Sequence, residues 1–502
     1  MDNYNNNFIQ RVRDFAYGQN LFAVENIIVG VSGGPDSMAL ITALYELSKC
    51  EEDFPNLYAV HVNHGIRKDD AINDQKMVEK YCSGLGISCT SYIYDIPAIS
   101  KDMGRSLEET GRIMRYKAFD EVAKSICGDD YETKSYIAVA HHRDDVSETM
   151  LMNLFRGSGL DGLVSPRSIS GRIIRPLLCV TKNDILNYLD ASDINYAIDY
   201  TNGELDCTRN IWRNKVIPSI REVSVKDPEE ALNDTYELLR EDSDFIESIA
   251  SDVYDKNVIR YGSWFALPID VVTKAHKAIS SRLIRRLRKD NYGSLVDFGT
   301  VHLNLVYKFI EAANQSTMTL DMPFGTICYV MSGYIGFCGS AEDMLFIACE
   351  VARKIGVIAL SDDVHTEIAI KSENTTKIPN SSIQIKTQIF ENIDGLEYND
   401  TSWFIPIYGG EITGVVAVNG LSKRKFTRAG SLSGKSLGKV MSDMHIPRDA
   451  RDRVVGICYG EDYLWIPGIG HTNGFVSSKS FDAWRKANPT PVGYLRIEII
   501  GG

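Results

Sequence analysis

The chain contains no run of about eighteen apolar residues, so no membrane-spanning helix is expected. Its ten cysteines (Cys50, Cys82, Cys89, Cys127, Cys179, Cys207, Cys328, Cys338, Cys349 and Cys458) stand singly, and none forms a CxxC pair. That spacing disfavours a zinc ribbon or an iron–sulfur site and reads as free thiols in a reducing compartment. There is no positive charge balance: the net charge of −13 argues against a surface coated for nucleic acid. Local basic groups remain, Arg282, Arg285, Arg286, Arg288 and Lys289 in one, Lys423, Arg424, Lys425 and Arg428 in another. Composition alone reads each as a solvated face or as a phosphate contact. No internal repeat and no low-complexity linker stands out. The polar, Asn-rich Met1–Gln10 is unlike a secretory signal, so a cytoplasmic location is expected. The phosphate-loop pattern GxxxxGK[ST] is also missing. Residues 30 to 37 carry no cation, and Ala429–Ser436, which nearly spells that pattern, has alanine for its first glycine.

What is present is a soluble-enzyme composition, 44% hydrophobic and 24% charged, over 502 residues, enough for two to four domains. Residues 27 to 215 alternate apolar strands with helical patterns. Strands are expected at Ile27–Val31, Leu57–Val62, Cys89–Tyr94 and Tyr136–Ala140, with helices over Met38–Leu47, Asp70–Leu85 and Ser106–Ser125. Such alternation implies an α/β fold, a doubly wound parallel sheet whose ligands bind beyond the carboxyl ends of its strands. The expected division is a catalytic domain at 1–217, a helical domain at 218–315, a β-rich region of unassigned role at 316–400 and a C-terminal α+β domain at 401–502.

The chemistry-bearing residues fall on that sheet edge. Ser32-Gly33-Gly34-Pro35-Asp36-Ser37 follows the first strand and opens a helix. Gly33 and Gly34 let the backbone bend and a phosphate approach, and the helix start offers N–H groups to an anion. Ser32 and Ser37 add hydroxyls. Asp36 cannot face a phosphate itself, and its sensible task is to hold Mg²⁺. Asp145 and Glu148, three apart behind His141-His142, share one face near a helix start. They either hold an ammonium group or Mg²⁺, or merely complement the helix dipole. Arg112 and Arg115, one turn apart, either meet phosphates or pair with Glu108 and Glu109.

Taken in order, SGGPDS (32–37), HVNHGIR (61–67), ETGRIMRY (109–116), AHHRDDVSET (140–149), LFRGSGLDGL (154–163), RPLL (175–178) and the block from Asp199 to Arg213 form a recognisable series. The series resembles the tRNA(Ile)-lysidine synthetase family of the PP-loop ATP pyrophosphatases. Lys435 and Ile446–Arg451 are similar to that family's C-terminal module. The resemblance implies an ATP-dependent ligase that joins L-lysine to carbon 2 of the wobble cytidine of a CAU-anticodon tRNA(Ile). An adenylated cytidine is the intermediate, and AMP and pyrophosphate are released. It implies ATP binding by Ser32, Gly33, Gly34, Pro35, Asp36 and Ser37, with Mg²⁺ on Asp36. Arg112 and Arg115 would offset adenylate charge, Asp145 and Glu148 would grip the lysine ammonium, and His64 and Arg209 would neighbour the substrates. The basic groups near Arg285 and Lys423 would track tRNA phosphates, and a homodimer is a family habit. A PP-loop tRNA thiolase is the competing enzyme reading, weakened by the missing CxxC. A non-catalytic tRNA-binding module is the other alternative, weakened by intact Ser32, Asp36, Asp145 and Glu148.

Overall fold

The structure, a computed structural model, describes residues 2–65, 68–197, 208–295, 298–313, 317–360, 368–369, 374–378, 383–391, 402–407, 415–418, 425–426, 435–459, 462–471 and 493–500. The chain forms two compact units, residues 1–245 and 246–502.

In the first unit, helix α1 (Asp2–Gly18) precedes β1 (Asn26–Gly30), α2 (Pro35–Cys50), β2 (Asn56–Asn63), α3 (Lys68–Leu85) and β3 (Ser88–Ile93). Then come α4 (Ile96–Met103), α5 (Leu107–Cys127), α6 (Tyr131–Lys134), β4 (Ser135–Ala138), α7 (Arg143–Phe155), α8 (Leu160–Leu163), β5 (Ile169–Ser170), β6 (Ile173–Ile174) and α9 (Lys182–Ala191). The sheet order is β3-β2-β1-β4-β6-β5. All pairs are parallel except β5 with β6. The chain therefore reverses direction across the sheet at β1, between β2 and β4, and a crevice opens beyond the end of β1.

Alternation along β1 builds both faces. Ile27 and Val29 pack with α1, α2, α3 and α9, while Ile28 joins Val60, Ile137 and the Ala118–Phe119 face of α5. Strand ends and helix starts are set by local chemistry. Pro35, with its φ preset and no N–H to satisfy, starts α2 three residues before the apolar periodicity begins. Ser106 Oγ accepts from Glu109 N at 3.2 Å to start α5, and Thr181 with Asp184 forms a reciprocal cap on α9. After α10 (Thr208–Ile211), Trp212–Val216 forms a π-helical turn that leads into α11 (Ile217–Val223) and α12 (Pro228–Asn257).

The second unit holds β7 (Ile259–Tyr261), β8 (Trp264–Pro268), α13 (Ile269–Lys274), α14 (Lys277–Tyr292), α15 (Thr300–Ala312), β9 (Met318–Met322), β10 (Thr326–Met331), β11 (Tyr334–Cys338) and α16 (Ala341–Lys354). Its sheet runs β7-β8-β11-β10-β9, antiparallel throughout. One face, with Leu267, Val330 and Phe337, buries Leu283, Leu287 and Val306 of α14 and α15. The other, with Tyr261, Ala266 and Tyr329, buries Ile347, Ala348 and Val351 of α16.

One expected boundary is corrected here. The boundary drawn between 315 and 316 cuts this sheet, because β8 pairs with β11 across it. Besides its strands, the 316–400 region holds α16, capped by Ser340, with Glu342 and Asp343 in its first turn and Arg353 and Lys354 in its last. Towards the C-terminus, Gly493–Ile500 pairs with both Gln384–Phe390 and Ser402–Ile407, and Leu495, Ile497 and Ile499 alternate into the core.

Part of the basic group on α14 is engaged within its own unit. Arg282 and Arg288 are buried, Arg282 faces Glu247 at 3.1 Å, and Arg286 binds Asp255 at 2.7 Å. Arg288 lies 3.9 Å from the centre of the Tyr292 ring. Arg282, Arg286 and Arg288 thus make contacts within this unit. Of the Lys423–Arg428 group, residues 423, 424, 427 and 428 lie outside the described residues.

Candidate active site

The loop after β1 is shaped by its own hydroxyls. Ser37 Oγ donates to the Gly34 carbonyl at 2.9 Å, lies 3.1 Å from Ser32 Oγ, and accepts from Ser32 N at 3.1 Å. Gly33 adopts φ +91°, a conformation that a side chain would strain, and an added Cβ would press on Val78 Cγ2 at 3.3 Å. The loop start is tied to β2 by His61 Nδ1, 2.8 Å from the Val31 carbonyl. The loop's own sequence lacks a cation, and Lys182, the first residue of α9, supplies one. Its Nζ lies 2.5 Å from Asp36 Oδ1. Lys182 was not singled out from sequence, since only tertiary structure brings it across 146 positions to the loop.

The acidic strip opens α7. Asp145 does two jobs at once: Oδ2 accepts from His142 N at 2.9 Å as a helix cap, and Oδ1 receives Arg209 Nη2 at 3.0 Å and Arg213 Nη2 at 3.4 Å. Burial alone would raise the Asp145 carboxyl, but His142, Arg209 and His141 outweigh it and hold the group below its ordinary value. Asp144 instead accepts from Lys182 N at 3.0 Å, and burial raises it. Of these two neighbouring acids, Asp145 is the one that lines the cavity.

Glu148 is 2% exposed and lies behind the arginines. Arg209 Nε reaches Oε2 at 2.6 Å, and Arg213 Nε reaches Oε1 at 2.5 Å. Both Glu148 oxygens carry guanidinium groups of the chain itself, and Glu148 is not among the residues that line the cavity. Arg213, four residues from Arg209, was legible only as the second arginine of a spaced pair.

On the opposite wall, Arg112 and Arg115 project from α5 into the same space. Arg115 Nη2 lies 3.5 Å from His64 Nε2. Burial and then Arg115 pull His64 down to about 4, so it is neutral at pH 7. His141 is likewise pulled down to about 4 by burial. Arg175 Nε donates to its Nδ1 at 3.1 Å, so the neutral ring carries its proton on Nε2 and offers a donor. Ile66, Arg67 and the Asp199–Asn202 stretch fall outside the described residues.

Ser32, Gly34, Asp36, Ser37, His64, Arg112, Arg115, Asp145 and Arg209 all line one cavity of about 770 Å³. Gly33, Pro35 and Glu148 stand just behind its wall. The Ser32–Ser37 loop, the Asp36, Asp74 and Asp145 carboxylates and several guanidinium groups thus share a space large enough for a nucleotide with a second small substrate.

Comparison with known proteins agrees with this arrangement. Residues 5–220 match the PP-loop domain, and residues 419–486 match the TilS substrate C-terminal domain. The chain is 30% identical over 462 residues to a tRNA(Ile)-lysidine synthase of Caldanaerobacter subterraneus subsp. tengcongensis, covering 91% of this chain and 92% of that protein. The chain belongs to the tRNA(Ile)-lysidine synthase family. The enzyme of the same name from Clostridium tetani is 28% identical over 466 residues, covering 91% of this chain and 92% of that one. That of Bacillus subtilis is 36% identical over 331 residues, 63% of this chain and 66% of its own length. Family membership makes this chain a tRNA-modifying ligase built on a PP-loop ATP-binding domain. Among its described residues, no helix is long and apolar enough to cross a membrane.

Proposed function

We propose that the cavity joins the side-chain amine of L-lysine to carbon 2 of the wobble cytidine in a CAU-anticodon tRNA(Ile). The cytidine carbonyl at that carbon is urea-like and a poor electrophile, so it needs activation. Its oxygen attacks the α-phosphorus of ATP, the bond to the β-phosphate oxygen breaks, and pyrophosphate leaves. The lysine amine then adds to carbon 2, and the C–O bond breaks with AMP as leaving group. The amine surrenders its protons to solvent.

One observation carries this reading: the loop at Ser32–Ser37 and the Asp145 carboxylate open onto a single cavity. The departing diphosphate is held by the loop N–H groups and hydroxyls, with Lys182 beside them. Arg112 and Arg115 offset charge on the adenylate, and the His141 Nε2–H adds a neutral donor. Asp145 meets the lysine side-chain ammonium. Arg209 and Arg213, anchored on Glu148, receive the lysine α-carboxylate, which a guanidinium fork fits.

Among the described residues no group of three or more acidic, His or Cys side chains forms a metal cage. One carboxylate at a phosphate loop nevertheless fits an ion shared with substrate phosphates. Asp36 would hold that Mg²⁺, which would neutralise phosphate charge as pyrophosphate departs. Among the described residues no cysteine lines the cavity; Cys207 lies outside them. The test is turnover with purified tRNA: ATP consumption should require both lysine and the CAU-anticodon tRNA and should yield AMP and pyrophosphate. Asp36→Ala should abolish it. Release of ADP, or consumption independent of lysine, would refute the mechanism.

A further inference from the structure

The cavity described above has a rim that the reaction chemistry does not use. Phe155, the last residue of α7, is 73% exposed, with Leu154 beside it at 51% and Ile211 at 38%. The Phe155 ring stands 5.3 Å from the Trp212 ring, tilted by 37°. Neither ring belongs to a hydrophobic core cluster of the unit. Leaving the Phe155 ring in water, against a half-buried Trp212 ring, has a hydrophobic cost that an occupant would relieve.

Position and charge identify the occupant. Trp212 sits between Arg209 and Asn210 on one side and Arg213 on the other, and those three residues line the cavity. Trp212 also begins the π-helical turn, with Ile217 N–H bonded to the Trp212 carbonyl. Such a widened turn is a recurrent feature of functional sites. Residues 208 to 217 carry three cations, Arg209, Arg213 and Lys215, and no acid, in a chain of net charge −13. Arg156, directly after Phe155, adds an exposed fourth. Aromatic faces among cations, in an otherwise acidic protein, match the chemistry of unstacked nucleobases on a phosphate backbone.

We propose that Phe155 and Trp212 form a stacking platform for the anticodon-loop bases that flank the base entering the cavity. Extruding one base unstacks its neighbours, and the platform gives those neighbours a new surface to stack on. This inference rests on the proposed tRNA substrate and adds to it where the RNA lies.

The test is binding of an anticodon stem-loop, without ATP or lysine, to the full-length protein and to Phe155→Ala and Trp212→Ala. Phe155 is exposed and Trp212 half-buried, so far-ultraviolet circular dichroism checks that both variants fold. Each variant should bind roughly 5- to 100-fold more weakly. Trp212→Phe should recover most of that loss, and a stem-loop with abasic positions on either side of the wobble base should erase the difference between parent and variants. In turnover, KM for tRNA should rise while KM for ATP stays. Parent-like RNA affinity in both alanine variants overturns the platform. So does a change in sedimentation behaviour without a change in RNA affinity, which would assign the rings to a protein contact. Either result leaves lysine incorporation by the parent intact, whereas failure of the parent to incorporate lysine refutes the proposed reaction instead.

Discussion

Replacing Glu148 with glutamine separates two accounts of lysine recognition. If Glu148 acts by carrying Arg209 and Arg213, the substitution keeps the side-chain volume and removes the charge that holds both guanidinium groups. Each contact is a charge-assisted hydrogen bond, a class worth about 1.5–3 kcal/mol. The arginine side chains are 35% and 40% exposed, so solvent screening trims the effect and glutamine still accepts one bond. A net loss of about 1.5–2.5 kcal/mol in lysine binding follows, a rise of roughly 10- to 70-fold in KM for lysine. KM for ATP should hardly move. The decisive assay repeats the measurement with 1,5-diaminopentane, which has the amine but no carboxylate. The parent should prefer lysine strongly, and Glu148→Gln should lose that preference by the same factor because its arginines no longer present a fork. If 1,5-diaminopentane and lysine suffer equally, Glu148 contacts the ammonium after all and the positioning argument is wrong.

Other expectations follow from the same geometry. Lys182→Met should raise KM for ATP by about tenfold or more, since the loop has no other internal cation, while leaving KM for lysine near the parent value; unchanged ATP kinetics would remove Lys182 from phosphate binding. Gly33→Ala forces a side chain into φ +91° against Val78 and should cost about 1–2 kcal/mol in urea unfolding together with most ATP affinity. A stable variant that binds ATP normally by calorimetry would show that the loop relaxes. His141 is held at about 4 in the folded protein, below its unfolded value, so the unfolded chain binds more protons as pH falls. Its contribution to stability is full above about pH 6.5 and is lost towards pH 4, about 2 kcal/mol being gone at pH 5. Urea midpoints at pH 7 and 5 should show this slope, and His141→Gln should remove its share while the similar share of His64, also held at about 4, remains.

Much of the first unit was readable because its signals are local. The strand-then-glycine pattern at Ile27–Gly34 and the polar residues at the ends of β2 and β4 required only periodicity and turn chemistry. What escaped is tertiary. Nothing near Lys182 says that its ammonium reaches Asp36, and the pattern of Glu148 does not say that two arginines cover it. A linear count of the α14 arginines does not separate a solvated face from a phosphate contact, and it does not say that Arg282 and Arg288 are buried. Burial is a property of helix phase against a neighbour, and composition does not carry it. The helix at Ala341–Lys354 was readable from Ser340, its acidic first turn and its basic last turn, but the surrounding Thr- and Ser-rich stretches obscured it.

The pairing of β8 with β11 limits how this protein is to be dissected. A fragment ended at residue 315 would keep Leu267 and Ala266 while discarding the strand that shields them, leaving a bare apolar edge prone to aggregation. Separating the accessory region as a soluble piece therefore calls for a start ahead of Ile259 and an end beyond Ile469, because α16 shares its buried cluster with Leu437, Met441, Ala450 and Ile466.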